Sequence, residues 1–198
     1  MKKVNKKGFT LIELLAVIVI LGVLLAIAVP AVTKYITSSK KSGYIDNMKY
    51  FMDSARSEVL DGEYNAPVST NEATVIYFDH LQPKLEKGGK TSSYGADYDM
   101  SNSFVVIVNE GTAEKPDQKY YVAARDVSGY GIGVVTSSAT TAKIIQYDEL
   151  KNENVVQLTA GATCTTTNNK VDGSVTSETL SVQPGTLSNV KVTRIYKK

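Results

Sequence analysis

The chain has 198 residues, 42% of them hydrophobic, with 22 basic against 20 acidic side chains and a net charge of +2. That near-neutral balance argues against a general grip on nucleic acid, although twelve tyrosines could form local contact patches. A single histidine, His80, excludes a histidine-rich metal centre and weakens any Ser-His-Asp or Cys-His nucleophile, and the lone Cys164 excludes an intrachain disulfide.

The first element is a short basic leader, Met1-Lys2-Lys3-Val4-Asn5-Lys6-Lys7-Gly8. Between Lys7 and Lys34 the only formal charge is Glu13, set five residues into an apolar run that starts at Phe9. From Leu14 to Val32 every residue is apolar, Gly or Pro, long enough as a helix to cross most of a hydrocarbon core of roughly 30 Å. Its thirteen Leu, Ile and Val residues contribute about −4 to −8 kcal/mol to insertion. Glu13 near one end opposes this by less than an acid at the centre would, so insertion wins. The four leader lysines orient the span with its N-terminus cytoplasmic and the bulk of the chain outside. A secretory signal peptide would have a shorter apolar core and a small-x-small cleavage site beyond it; Ala31-Val32-Thr33-Lys34-Tyr35-Ile36 suits such a site poorly. A plain membrane anchor explains the length but not the carboxylate, since an acid inside such a segment is a functional group by default.

Leader, small residue, Phe, then a lone Glu in the fifth place after the break: this arrangement resembles the type IV prepilin family. The resemblance covers the first 35 or so residues closely and the remainder in general layout. It implies that a membrane aspartyl peptidase cuts Gly8–Phe9 on the cytoplasmic side and that the same enzyme N-methylates Phe9. It further implies that the mature subunit leaves the bilayer for a helical fibre with the N-terminal helices at its centre. There Glu13 would pair with the Phe9 ammonium of a neighbouring subunit, and the pair would act mainly as a register device. In this family the stretch between the equivalents of Gly22 and Pro30 often unwinds, giving the fibre extensibility. From the residues alone, Pro30 predicts a kink, and Gly22 lowers helix propensity by about 1 kcal/mol relative to Ala. Small residues that merely ease helix packing would explain Gly22 equally.

Beyond the apolar run, Ile45, Met48, Met52, Ala55 and Val59 recur at spacings of three and four, one stripe of an amphipathic helix. Lys49, Asp53, Arg56 and Glu58 fall on its other faces. Thr37 to Gly43 is polar and rich in poor helix formers, which predicts a bend or local fraying. Gly62, with Asn65-Ala66-Pro67 after it, marks the stop. The expected element is one long helix from Phe9 to Leu60. The domain organisation read from these signals is a leader over 1–8, a transmembrane or filament-core helix over 9–33, an amphipathic helix over 34–60, and a globular head over 61–198.

In the head, Val75-Ile76-Tyr77-Phe78 is a short apolar run. Asp79 follows as an N-cap for a brief helix from His80 to Lys87, closed by Gly88-Gly89, which places His80 on the surface at a helix start. Predicted strands are Phe104–Asn109, Lys119–Arg125, Gly131–Thr136, Lys143–Tyr147, Val155–Thr159, Ser174–Val182 and Val190–Tyr196. The first two flank the turn-rich Glu110–Asp117 and read as a hairpin. The fold class is therefore α+β: a long N-terminal helix, apolar then amphipathic, packed on an antiparallel sheet head with one face on the helix and one toward solvent. The Thr-, Ser-, Asn- and Gly-rich stretch from Thr159 to Thr179 reads as an exposed loop or hairpin. No Asn-x-Ser/Thr acceptor occurs.

Chemistry in the head is sparse. Asp97, Asp99 and Ser101 alternate as in the opening of a calcium loop, but Asn102 stands where a Gly is needed and Val108 where the closing acid belongs. A looser calcium site or an ordinary polar loop both fit. Gly129-Tyr130-Gly131-Ile132-Gly133 lacks the strand-to-helix setting of a dinucleotide fingerprint and reads as turn glycines. No phosphate loop, zinc spacing or wall-anchoring signal occurs. Loss of the leader's four lysines would change the net charge from +2 to −2.

These readings predict a structural, polymerising subunit with no catalytic or metal-binding residues and no cofactor. Its partners would be further copies of itself, the prepilin peptidase, an assembly platform and minor subunits. It would sit first as a single-pass protein of the cytoplasmic membrane with an extracellular head, then in an extracellular fibre serving adhesion, twitching motility or biofilm formation. Many pilins of Gram-negative bacteria close a C-terminal loop with a disulfide. The lone Cys164 departs from that, favours a Gram-positive source and leaves Val190–Tyr196 as a strand able to dock in the sheet. A pseudopilin of a secretion or competence DNA-uptake system, and a membrane-anchored extracellular binding domain, remain the alternatives.

Overall fold

The computed structural model describes residues 8–81, 89–133, 143–158, 176–183 and 186–196. The expected helix over His80–Lys87, most of the hydroxyl-rich stretch, Cys164, and residues 134–136 of a predicted strand lie in whole or in large part outside these. Asp79 and His80 occupy a turn. The chain divides into two compact units between Ser39 and Lys40.

Helix α1 runs from Leu11 to Leu60, with Pro30 inside it. Thr37–Gly43, where a bend or local fraying is expected, is helical at every residue. Two hydroxyls are absorbed locally, Thr33 Oγ1 donating to Val29 O and Thr37 Oγ1 to Thr33 O, each at 2.9 Å. Farther on, Ser93 Oγ donates to Lys40 O and Ser42 bonds Asn152, so contacts with the head override weak local propensity. The end of α1 is set by Gly62 at φ +83°. Glu63 N–H reaches Glu58 O and Gly62 N–H reaches Val59 O, the paired bonds of a Schellman cap.

In the first unit α1 is exposed throughout and apolar from Leu14 to Val32, and the helix is long and apolar enough to cross a membrane.

Among the described residues of the second unit, eight strands follow: β1 Glu72–Tyr77, β2 Phe104–Asn109, β3 Gln118–Arg125, β4 Tyr130–Ile132, β5 Lys143–Gln146, β6 Val156–Gln157, β7 Thr176–Gln183 and β8 Thr186–Tyr196. The β2–β3 hairpin is as the sequence predicts, with Phe104 opposite Ala123 and Asn109 opposite Gln118. The sheet is not purely antiparallel, because β8 lies parallel to β1 and β7 parallel to β5. From β1 the pairings run through β2, β3, β5, β7 and β8 and return to β1. Six strands thus close into a ring, and β4 with β6 extends it beyond the end of β3.

Closure corrects the expectation that one sheet face meets solvent. Ala73, Val75, Tyr77, Phe104, Val106, Val108, Tyr121, Ala123, Ile144, Val190 and Val192 form one buried cluster drawn from strands around the ring. The alternate residues Ile76, Val105, Ile107, Tyr120, Val122, Ala124 and Ile145 form a second cluster with Tyr44, Ile45, Met48, Phe51, Met52 and Ala55 of α1. Period-two alternation sends one set inward and the other to the helix. Every residue of β2 is consequently buried. A strand covered on both faces needs an unbroken apolar run, which Phe104-Val105-Val106-Ile107-Val108 supplies.

Candidate processing and assembly site

Gly8, Phe9 and Thr10 precede α1 in non-helical backbone, and Phe9 is 92% exposed. The Gly8–Phe9 bond therefore lies outside the helix. Helix α1 starts where it does because Thr10 and Glu13 form a reciprocal capping box. Glu13 N–H donates to Thr10 Oγ1 at 3.3 Å, while Thr10 N–H and Oγ1–H donate to Glu13 Oε2 at 2.8 and 2.7 Å. The sequence reading singled out Glu13 and passed over Thr10, although the Thr-x-x-Glu spacing was there to be read.

Farther along, Gly22 has open space where a Cβ would stand, so nothing in its own chain demands a glycine. Pro30 removes one donor from the helical ladder while α1 stays helical on both sides of it. Gly22 and Pro30 are thus both helical here. The surrounding Leu, Ile and Val side chains are half or more exposed, an apolar surface far larger than a soluble monomer tolerates.

The head residues considered for other chemistry have structural partners. Arg125 Nε donates to Asp99 Oδ2 at 2.7 Å, and Asn102 Nδ2 reaches both Asp99 oxygens at 3.1 and 3.0 Å. Burial alone would raise the Asp99 pKa, but the bonds from Asn102, Arg125 and Ser101 outweigh it and hold the carboxyl below the ordinary value. Asp97 Oδ1 accepts from Thr91 Oγ1. Among the described residues no cluster of three or more His, Cys, Asp or Glu is placed to hold a metal ion. His80 is half-buried, not on the surface as expected, edge-on to Tyr64 and Tyr196 at 6.1 and 6.4 Å between ring centroids. The β2–β3 turn is held by buried Asn109. Its Oδ1 accepts from Gly111 and Asp117 N–H, both at 3.0 Å, and its Nδ2 donates to Val68 O at 2.6 Å.

Comparison with known proteins bears on the N-terminal segment and on much of the chain. Residues 3–29 match the family described as the prokaryotic N-terminal methylation motif. The chain is 34% identical over 113 residues to a type IV major fimbrial protein FimA of Dichelobacter nodosus, covering 55% of this chain and 71% of the relative. It is 35% identical over 112 residues to the type IV major alpha-pilin of Moraxella bovis, 55% of this chain and 62% of that protein. A shorter likeness, 51% over 39 residues, links it to a ComG operon protein 3 homolog of Bacillus licheniformis, 20% of this chain and 40% of that protein. No solved structure matches the chain.

Proposed function

Because the chain belongs to the type IV pilin family and is a structural pilus subunit, we propose that its working part is the segment from Gly8 to Glu13. The prepilin peptidase cuts Gly8–Phe9 and methylates the freed Phe9 amine. The apolar part of α1 holds the subunit in the cytoplasmic membrane until the assembly platform moves it into the fibre. Neighbouring copies then cover the apolar surface that the isolated chain leaves exposed. The Glu13 carboxylate of one copy meets the Phe9 ammonium of the next, and each charge satisfies the other away from water. An acid without such a partner would be a poor occupant of an apolar core, so slipped arrangements are disfavoured. Gly22 to Pro30 is the stretch that unwinds if the fibre lengthens under load.

One observation carries this reading: an exposed, non-helical Gly8–Phe9 bond stands just before a capped helix whose only charge ahead of Lys34, Glu13, lies in its first turn. The chain is the substrate of this chemistry and contributes no catalysis of its own. Adhesion, twitching motility and biofilm formation are the uses such a fibre serves. The likeness to the ComG operon protein 3 homolog covers only a short segment, whereas the fimbrial likenesses cover more than half of the chain.

The test is direct. Protein from sheared fibres should begin at methyl-Phe9, and Glu13→Ala should be inserted and cleaved yet missing from fibres. An intact Met1 in assembled material, or normal fibres from Glu13→Ala, contradicts the reading.

A further inference from the structure

We propose that in the fibre the β7–β8 hairpin of one copy closes the sheet ring of an adjacent copy, so that heads are joined by exchanged strands as well as through α1. The inference rests on the chain being a fibre subunit and adds a second connection between copies.

The ring has two parts of different kind. β1, β2, β3 and β5 pair antiparallel in that order and form an open sheet by themselves. The β7–β8 hairpin fills the gap between its two edges, with β8 parallel to β1 and β7 parallel to β5. Parallel neighbours cannot be joined by a tight turn, so the hairpin is tied to the sheet through long connections only. Residues 158–175 lead from β6 to β7. At roughly 3.4 Å per residue they reach about 60 Å when extended, against a radius of gyration of about 14 Å for a head of this length. A hairpin from a second copy is therefore within range of the same slot.

The contacts that seat β8 are open to either source. Inside the ring, Val190 and Val192 complete the apolar cluster that includes Ala73 and Val75. Along the edge of β1, Lys191 N–H donates to Asn71 O at 2.8 Å and Thr193 Oγ1–H to Ala73 O at 3.2 Å. Tyr196 Oη accepts from Asn65 N–H at 3.2 Å, and its ring packs on Tyr64 with centroids 4.6 Å apart. All of these partners lie before β2, far from the hairpin in sequence, so a hairpin from another copy meets the same register, burial and hydrogen bonds. Exchange then costs the entropy of a longer path, which grows slowly with loop length, and a fibre presents the neighbouring slot at high effective concentration. A slot left empty would expose two strand edges beside an apolar face, so each is filled by one copy or another. Swapping an identical element is a low-cost way to join identical chains. An isolated copy closes its own ring, as here.

The experiment places one disulfide inside the ring. Ala73 and Val192 are register partners on β1 and β8 and both are buried, so cysteines there meet only where β8 is seated on β1. Full-length Ala73→Cys/Val192→Cys, carrying Cys164→Ser, is expressed in cells lacking the native copy and grown with a thiol reductant. Sheared fibres and the membrane pool are then oxidised separately and run on non-reducing gels beside each single-cysteine variant. The fibre should give covalent dimers and higher multimers that need both cysteines, and the membrane pool a monomer with an intrachain bond. Intrachain bonds alone in the fibre overturn the proposal. So do free thiols there, because β8 would then be off β1 altogether. If this variant fails to accumulate, Glu72→Cys/Lys191→Cys, also register partners, replaces it and is read in the same way. The N-terminal mass of the sheared subunit is taken from the same samples. Failure of the exchange leaves a methyl-Phe9 terminus and the reading of Gly8 to Glu13 standing, whereas an intact Met1 removes that reading and not this one.

Discussion

Phe51 of α1 and Phe78, the residue after β1, lie ring on ring, with centroids 3.7 Å apart and planes 9° from parallel. Both are wholly buried, and Tyr98 meets each of them edge-on. This pair joins α1 to the segment that follows β1. Phe51→Ala should lower head stability by about 3–5 kcal/mol, and Phe51→Leu by clearly less. Urea denaturation of the detergent-solubilised subunit measures both, and a loss below about 1 kcal/mol for the alanine variant would deny the stack its role.

Asn109 ties the β2–β3 turn to the segment before β1. Replacing it by Ala leaves Gly111 N–H, Asp117 N–H and Val68 O without their partner. Asn109→Ala should cost about 2–4 kcal/mol, and Asn109→Asp should recover part of it by keeping the acceptor. Gly111 is fixed in the same turn, because a Cβ there would stand 2.3 Å from Lys115 O. Gly111→Ala should therefore also destabilise, read by thermal unfolding.

Closure of the ring predicts opposite outcomes for adjacent residues of β8. Val190 is fully buried in the inner cluster and Lys191 is exposed. Val190→Asp places an unpaired charge among apolar side chains and should abolish a folded head, whereas Lys191→Asp should change stability by no more than about 0.5 kcal/mol. Similar effects of the two substitutions on the near-ultraviolet circular dichroism would argue against a filled ring.

The Asp99–Arg125 pair fixes part of the acid response. The Asp99 pKa is lowered from its ordinary 3.8, so the native state binds its proton less readily than the unfolded chain does. Its stabilisation is complete above pH 3.8 and is lost as the pH falls through the lower folded value. Asp99→Asn should lower the Tm near neutrality and flatten the fall of Tm below pH 4 or so. An unchanged acid limb in that variant would place the pH dependence elsewhere.

Local features were legible in the sequence wherever one segment carries its own signal. The Phe104–Asn109 strand, the Gly62 stop and the helical stripe through Ile45, Met48, Met52 and Ala55 are each written in a single window. Tyr44 and Phe51 complete that stripe at a seven-residue spacing. Ring closure was not legible, because pairing β8 with β1 joins residues such as Val192 and Ala73 that share no local signal. The unbroken apolar run of β2 carried a hint, since a strand wet on one face would alternate. The helical Thr37–Gly43 shows tertiary contacts overruling propensity. At the N-terminus the acid stood out by its isolation, whereas Thr10 looked ordinary until its hydroxyl was seen to close the cap.

The account stands on the contact between copies at the start of α1. A map of the assembled fibre at side-chain resolution measures it most directly. The chain should begin at methyl-Phe9, with its nitrogen within about 4 Å of the Glu13 carboxylate of an adjacent subunit. A Glu13 side chain facing lipid or water, with no amino group near it, would contradict the account.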